Sequence, residues 1–280
     1  MDKYIKSTFN YTGGKYKLLE QIKPLFPKNI DTFYDLFCGG LDVSINIDAN
    51  KIVSNDIISP MIDMYDEFKK YDFNTLNSIV LDIINKYSLS KENNTGYLML
   101  RDDYNKTKES IKLFVLICYC YNNQIRFNSK FNFNRAFGKN RSSYNDSIQE
   151  NLKHFLNKLN TIEIDFVSKD FQLFDYSRIS ENDFVYADPP YLITCADYSI
   201  QASWNEDKEK KLYDILDELN NRNIKFGLSN VINHHGKQNE ILIKWCKKYN
   251  TYYLNNDYKN CNANKKCKNI ETQEVLITNY

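Results

Sequence analysis

The residues of this chain best suited to chemistry are Asp188-Pro189-Pro190-Tyr191, directly after the apolar run Phe184-Val185-Tyr186-Ala187. Each proline fixes its own φ and restricts the residue before it, so Asp188 and Pro189 are expected to be extended. Neither proline has an N–H, so their carbonyls are left as acceptors. A fixed carboxylate, a fixed carbonyl and a flat ring suit one task, the holding of a planar amino group. A surface Pro-Pro turn with a solvated aspartate would carry the same four residues.

A second constellation is Asp35-Leu36-Phe37-Cys38-Gly39-Gly40. Glycines after a strand let backbone approach a ligand at the strand's carboxyl end, and Asp56 stands 21 positions after Asp35. An acid about 20 residues beyond such a turn accepts hydrogen bonds from ribose hydroxyls. No GxGxxG and no Walker lysine pattern is present, which favours a nucleoside ligand without phosphates over a pyrophosphate. A structural glycine turn with Asp56 as a helix cap is the alternative.

Between Tyr121 and Arg141 stand Arg126, Lys130, Arg135, Lys139 and Arg141, with no acidic residue, interleaved with Phe127, Phe131, Phe133 and Phe137. Cations, aromatics and asparagines in alternation suit a nucleic-acid-contacting loop. A solvated cationic hairpin would look the same. His234-His235 has no third ligand spaced nearby and reads as an exposed pair at a strand-to-helix turn.

The elements that must position these groups follow from periodicity. Thr12 is placed to cap a helix over 14–26. Residues 32–37 read as a strand, a short helix using Val43, Ile45 and Ile47 follows the glycines, and 52–54 is a second strand. Strand, glycine turn, helix and strand make a βαβ unit and imply a parallel sheet. Residues 61–159 read as helical and charged, with a buried strand considered only near 111–120. Strands are expected again at 161–164, 184–187, 224–228 and 274–278, with helices over 206–221 and 238–247 and a polar surface loop over 255–270.

Composition sets outer bounds. The 280 residues carry 37 Lys and Arg against 36 Asp and Glu, so net charge argues neither for nor against a polyanionic partner. Seven cysteines without CxxC spacing suggest reduced thiols rather than zinc or disulfides. No apolar run of membrane-spanning length and no leader-like N-terminus is visible, so a cytoplasmic protein without membrane partners or metal is expected.

Taken together, Tyr11-Thr12-Gly13-Gly14-Lys15, Asp35 to Gly40, Asn55-Asp56 and Asp188 to Tyr191 resemble the DNA adenine-N6 methyltransferases of the Dam type. Their order resembles the alpha group. Leu100 to Thr107, Tyr191 to Tyr198 and Ile224 to Val231 look most like its T-even phage members. The resemblance implies a Rossmann-like α/β sheet of the S-adenosylmethionine-dependent methyltransferases over 1–60 and 161–280. It implies a mainly helical DNA-recognition domain with a β-hairpin over 61–160.

It also implies S-adenosylmethionine as methyl donor. The cofactor contacts fall on Tyr11, Lys15, Asp35, Phe37, Cys38, Gly39, Gly40, Asp56, Ile57, Asp170, Phe171 and Asp188. Asp188, Pro189, Pro190 and Tyr191 would carry catalysis on a flipped adenine in double-stranded DNA, in GATC or a related site. The DNA contacts fall on Lys15, Arg101, Tyr121, Asn122, Asn123, Gln124, Arg126, Asn128, Lys139, Arg141 and Tyr198. Asn122, Gln124 and Asn140 depart from the phage-type pattern, as does Leu41 from the glycine of the wider methyltransferases. Cytosine-N4 enzymes usually carry Ser, and protein-glutamine enzymes Asn, where Asp188 stands, so adenine is favoured. RNA stays open as a substrate, as do a monomer or a weak dimer on DNA and a solitary, restriction-linked or phage-borne role.

Overall fold

Four consecutive buried residues, Phe184 to Ala187, can only sit inside a sheet covered on both faces, and they form the strand that ends at Asp188. The computed structural model describes residues 3–194, 204–255 and 272–280. The chain divides into two compact units, one of Met1–Tyr16, Cys38–Asn46 and Ser54–Lys169, the other of Lys17–Phe37, Ile47–Val53 and Asp170–Tyr280.

The second unit holds most of the sheet. Its strands are β1 (Ile30–Asp35), most of β2 (Ala49–Asn55), β4 (Phe184–Ala187), β5 (Lys225–His234), β7 (Asn250–Leu254) and β8 (Thr272–Thr278). They run in the order β2-β1-β4-β5-β8-β7, and a two-residue strand, β6 (Lys237–Gln238), pairs with β5. Strand β4 is parallel to β1, with Asp35 opposite Tyr186, and parallel to β5, with Ala187 opposite Leu228. Strand β8 is antiparallel to β5 and β7 antiparallel to β8. Helix α7 (Glu206–Asn221), capped by Asn205, and α8 (Glu240–Trp245), capped by Asn239, bury Leu212, Leu216 and Leu242 against Val185, Phe226 and Leu228. The expected α/β, Rossmann-like sheet is therefore present.

The first unit is helical: α2 (Ser59–Phe68), α3 (Phe73–Lys86), α4 (Asn94–Thr107), α5 (Ser110–Tyr119) and α6 (Asp146–Leu159). Asp72, Asn93 and Asn145 cap α3, α4 and α6 by accepting backbone N–H groups. Residues 111–120 are helix α5, not a strand. Every residue from Ile111 to Tyr119 is buried, so the helix lies inside its neighbours and its sequence shows no amphipathic period. Strand β3 (Ile164–Val167) adjoins the end of β2, where Asp56 N donates to Val167 O at 3.2 Å.

Other boundaries moved for local reasons. The helix expected over 14–26 is a 3-10 turn (Tyr16–Leu18), one α turn, α1 (Leu19–Ile22), and a second 3-10 turn (Lys23–Leu25). Pro24 lacks the N–H an α-helix would need there. The strand expected over 161–164 begins only at Ile164, because Thr161 closes α6 with its N and Oγ1 on Lys158 O. The short helix after Gly40 is a single 3-10 turn, Ser44–Asn46. The helix expected over 238–247 is α8 plus a 3-10 turn, and β7 was missed because two of its tyrosines face solvent on an edge. His234 and His235 sit in a β5–β6 hairpin rather than before a helix, with His234 half-buried on Thr272. The polar loop expected over 255–270 lies almost wholly outside the described residues.

The described cysteines Cys38, Cys118, Cys120 and Cys246 are buried thiols. No helix among the described residues is long and apolar enough to cross a membrane.

Candidate active site and nucleic-acid interface

In the second unit, β4 delivers Asp188 at the sheet's carboxyl edge, and Tyr191 O accepts from Thr194 N to close the turn that follows. Tyr191 is half-buried, and its hydroxyl lies 2.9 Å from Asp188 Oδ1 and 2.7 Å from Glu274 Oε1. Burial, reinforced by those two carboxyl groups, pushes the Tyr191 phenol far above its ordinary value, so it keeps its proton. Beneath it, Tyr186 and Ser229 share a buried hydrogen bond of 2.7 Å between β4 and β5.

Asp35 ends β1 almost fully buried, and Leu36 N donates to Tyr186 O at 2.9 Å, so the β1 turn is pinned to the strand that bears Asp188. Phe37 then meets Phe171 and Trp204 in one aromatic group, with ring centroids 5.3 to 5.7 Å apart. Asp170 caps the 3-10 turn Phe171–Leu173 by accepting from Gln172 N.

In the first unit, the continuation Cys38-Gly39-Gly40 is held by Asp56. Its Oδ2 accepts from Gly39 N and its Oδ1 from Ile58 N, both at 3.0 Å. Complete burial raises the Asp56 carboxyl above its ordinary range, partly offset by those backbone N–H groups. Cys38 N donates to Asn55 O, and the Asn55 side chain clamps the Lys169 backbone in both directions. Gly39 has φ +44°, and the Tyr11 ring occupies the place of its missing side chain. Tyr65 OH donates to Gly39 O from below. Ile57, beside Asp56, is an exposed apolar side chain.

The lysine motif also packs here. Lys15 is buried and donates to Gly13 O, and Gly14 backs onto Asp42. Asp42 accepts from Ser7 N and is pushed up to about 6 by burial, against the pull of N–H groups from Ser7 and Tyr16 and of Lys15 and Lys6.

The hairpin over 120–137 closes through antiparallel bridges Cys120–Phe137 and Phe127–Phe133. Phe127 and Phe133 are its buried core, so these two aromatics serve packing rather than contact with a base. Arg135 donates to Gln124 Oε1 at 2.6 Å, and Arg135 and Arg141 both lie over the exposed Tyr121 ring. Arg141 reaches Asn122 Oδ1, Asn123 donates to Ile117 O and Cys118 O, and Asn128 Oδ1 receives two backbone N–H groups at the tip. Arg126 and Lys139 are exposed and Arg101 half-buried. Asn10 ties the N-terminal segment to the hairpin through Asn122 O and Asn123 O. Tyr198 lies outside the described residues.

Each unit therefore brings together most of the residues expected within it. The sequence reading missed Asp42, Tyr65, Trp204 and Glu274. Trp204 is one of only two tryptophans, the one signal that could have marked it. Asp42, Tyr65 and Glu274 act through contacts that no local spacing encodes.

Within the first unit, the left-handed turn at Gly39 against Tyr11, held by Asp56, is a set of polar groups suited to a nucleoside ligand, and within the second the Phe37 aromatic group is a stacking surface suited to a planar base. The family model described as D12 class N6 adenine-specific DNA methyltransferase matches residues 11–260. The chain is 45% identical to the type II methyltransferase M.FokI of Planomicrobium okeanokoites, over 99% of this chain and 43% of that protein. It is 43% identical to the modification methylase StsI of Streptococcus sanguinis, again over 99% of this chain and 43% of the relative. The chain thus spans less than half the length of these two relatives. The DNA adenine methylase of Escherichia coli K12 is 25% identical over 80% of each chain, so the Dam-type likeness is real but weaker than that to the type II methylases.

Proposed function

Because the chain belongs to the D12 class of N6 adenine-specific DNA methyltransferases, we propose that it methylates N6 of an adenine flipped out of double-stranded DNA, with S-adenosylmethionine as donor. The observation that carries this reading is Asp188 at the carboxyl end of β4, with Tyr191 fastened beside it.

The adenine N6 lone pair is delocalised into the ring and is a poor nucleophile. Asp188 and the Pro189 carbonyl accept its two N–H groups and draw the nitrogen toward tetrahedral geometry, which localises the lone pair. Pro190 keeps this pair of acceptors rigid, and the open face of Tyr191 stacks on the extruded base. The cofactor supplies an electrophilic methyl group on a sulfonium sulfur. Tyr11, Lys15, Asp35, Phe37, Cys38, Gly39, Gly40, Asp56, Ile57, Asp170 and Phe171 bind and orient it, so positioning and electrostatics provide most of the acceleration.

Residues 61–160 read the duplex, with Arg126 on a guanine and Arg101, Lys139 and Arg141 on phosphates. Motifs of the phage-type Dam kind make GATC the first site to test. The names of the two most similar relatives reported above suggest a modification role beside a restriction enzyme in the cytoplasm. Methylation of oligonucleotide duplexes that vary one base at a time, read by mass spectrometry, tests the proposal. Wild-type protein is expected to yield N6-methyladenine in one short site, and Asp188→Ala none. Near-normal turnover by Asp188→Ala would overturn the assignment.

A further inference from the structure

Tyr191 has one phenol proton and two carboxyl oxygens within hydrogen-bond reach, Asp188 Oδ1 at 2.9 Å and Glu274 Oε1 at 2.7 Å. Glu274 lies on β8, 2% exposed, opposite Val231 of β5 and Leu254 of β7. A carboxyl group set among apolar strand residues costs several kcal/mol unless bonded, and the Tyr191 hydroxyl is one of the groups that bond it. We propose that Glu274 is a positioning residue of methyl transfer, which accepts the Tyr191 hydroxyl hydrogen bond and so turns that hydroxyl away from Asp188, the group that receives the adenine amino group. This rests on the adenine-N6 reading above.

The physical argument is a competition for one proton. If Tyr191 donates to Asp188, it withdraws electron density from the carboxylate that must accept from N6, and adenine gains less from the contact. With Glu274 at the shorter distance, the hydroxyl turns toward β8 and its demand on Asp188 is reduced. The same bond fixes the Tyr191 ring, because a phenol tied at its oxygen cannot swing about its Cα–Cβ bond. Glu274 therefore serves base stacking and amino-group capture through Tyr191, without touching either substrate. The neighbouring hydroxyl, Tyr186, is taken up by Ser229 and does not compete.

The test is a cycle of Glu274→Ala, Glu274→Gln, Tyr191→Phe and the double variants, with kcat, the KM for S-adenosylmethionine and the cofactor-induced rise in melting temperature measured for each. Glu274→Ala is expected to lose about tenfold in kcat with an unchanged cofactor KM and melting rise. Glu274→Gln, whose amide oxygen still accepts from the phenol, recovers most of that loss. In a Tyr191→Phe background, Glu274→Ala has no further effect on kcat. A further tenfold loss in that background, or a Glu274→Gln variant as impaired as Glu274→Ala, overturns the role of Glu274 alone. A wild-type protein that methylates no adenine overturns the functional reading and this proposal together.

Discussion

Tyr11 and Gly39 touch only because Gly39 has no side chain: a Cβ there would stand 2.5 Å from Tyr11 Cε1, and the backbone already sits at φ +44°. Left-handed backbone costs an L-residue about 1 kcal/mol, and overpacking a filled space about 1–3 kcal/mol more. Gly39→Ala is therefore expected to lower the melting temperature and to abolish the rise expected of the wild type with S-adenosylmethionine. A variant that is still stabilised by the cofactor would separate the turn from cofactor binding.

Leu41 presents the opposite trade. It holds φ +62° without being glycine, and its side chain is fully buried. Leu41→Gly relieves about 1 kcal/mol of backbone strain but removes a buried leucine, which costs about 3–5 kcal/mol. Net destabilisation of about 2–4 kcal/mol by urea unfolding is the expected result. A more stable variant would mean that the strain outweighs the packing.

Asp42 gives a pH signature. Its carboxyl is raised by burial from an ordinary 3.8 to about 6, so the native state holds this proton more tightly than the unfolded chain. Its stabilising contribution is complete below about pH 4 and is lost as pH rises through about 6. Ionisation at neutral pH then costs up to about 3 kcal/mol. Asp42→Asn has no such titration, so wild-type stability relative to the variant should fall between pH 4 and 7 and then level off. A difference independent of pH would refute the burial argument.

Arg126 and Arg135 stand five and fourteen residues beyond Tyr121 in the same hairpin and should behave differently. Arg126 is exposed, whereas Arg135 is bound to Gln124 Oε1 and Tyr121 O. Arg126→Ala is expected to leave the melting temperature unchanged while costing about 1–3 kcal/mol of discrimination at one base pair. Arg135→Ala should loosen the hairpin and weaken binding to every sequence. Anisotropy titrations over a salt series check this. A uniform loss for Arg126→Ala, with a salt slope reduced by about 0.9, would reassign it to a phosphate.

The parallel strands and their chemistry were legible because a buried central strand is a continuous apolar run and because proline and glycine mark turns. Asp188, Tyr191 and the Asp35–Gly40 turn fall at strand ends for that reason. Two features resisted. Helix α5 is buried on all sides, which erases the period that would distinguish it from a strand. Glu274 lies 83 residues from the tyrosine it holds, and no spacing rule joins residues that meet only through sheet order. The hairpin stands between the two: its charge pattern was visible, but not that Phe127 and Phe133 turn inward.

Asn122 and Asn123 follow one another with φ of 61° and 51°, and the Asn123 amide closes the carbonyl end of α5. Asparagine tolerates left-handed backbone as few other residues do. The start of the hairpin is thereby barred from most single substitutions, whatever site the protein reads. If the hairpin reads DNA as proposed, drift toward a new target sequence has its open paths further along, at Gln124 and Arg126, where the backbone asks nothing special of the side chain. On that reading, the route by which a preference could change is narrowed by conformation before any contact with a base is made.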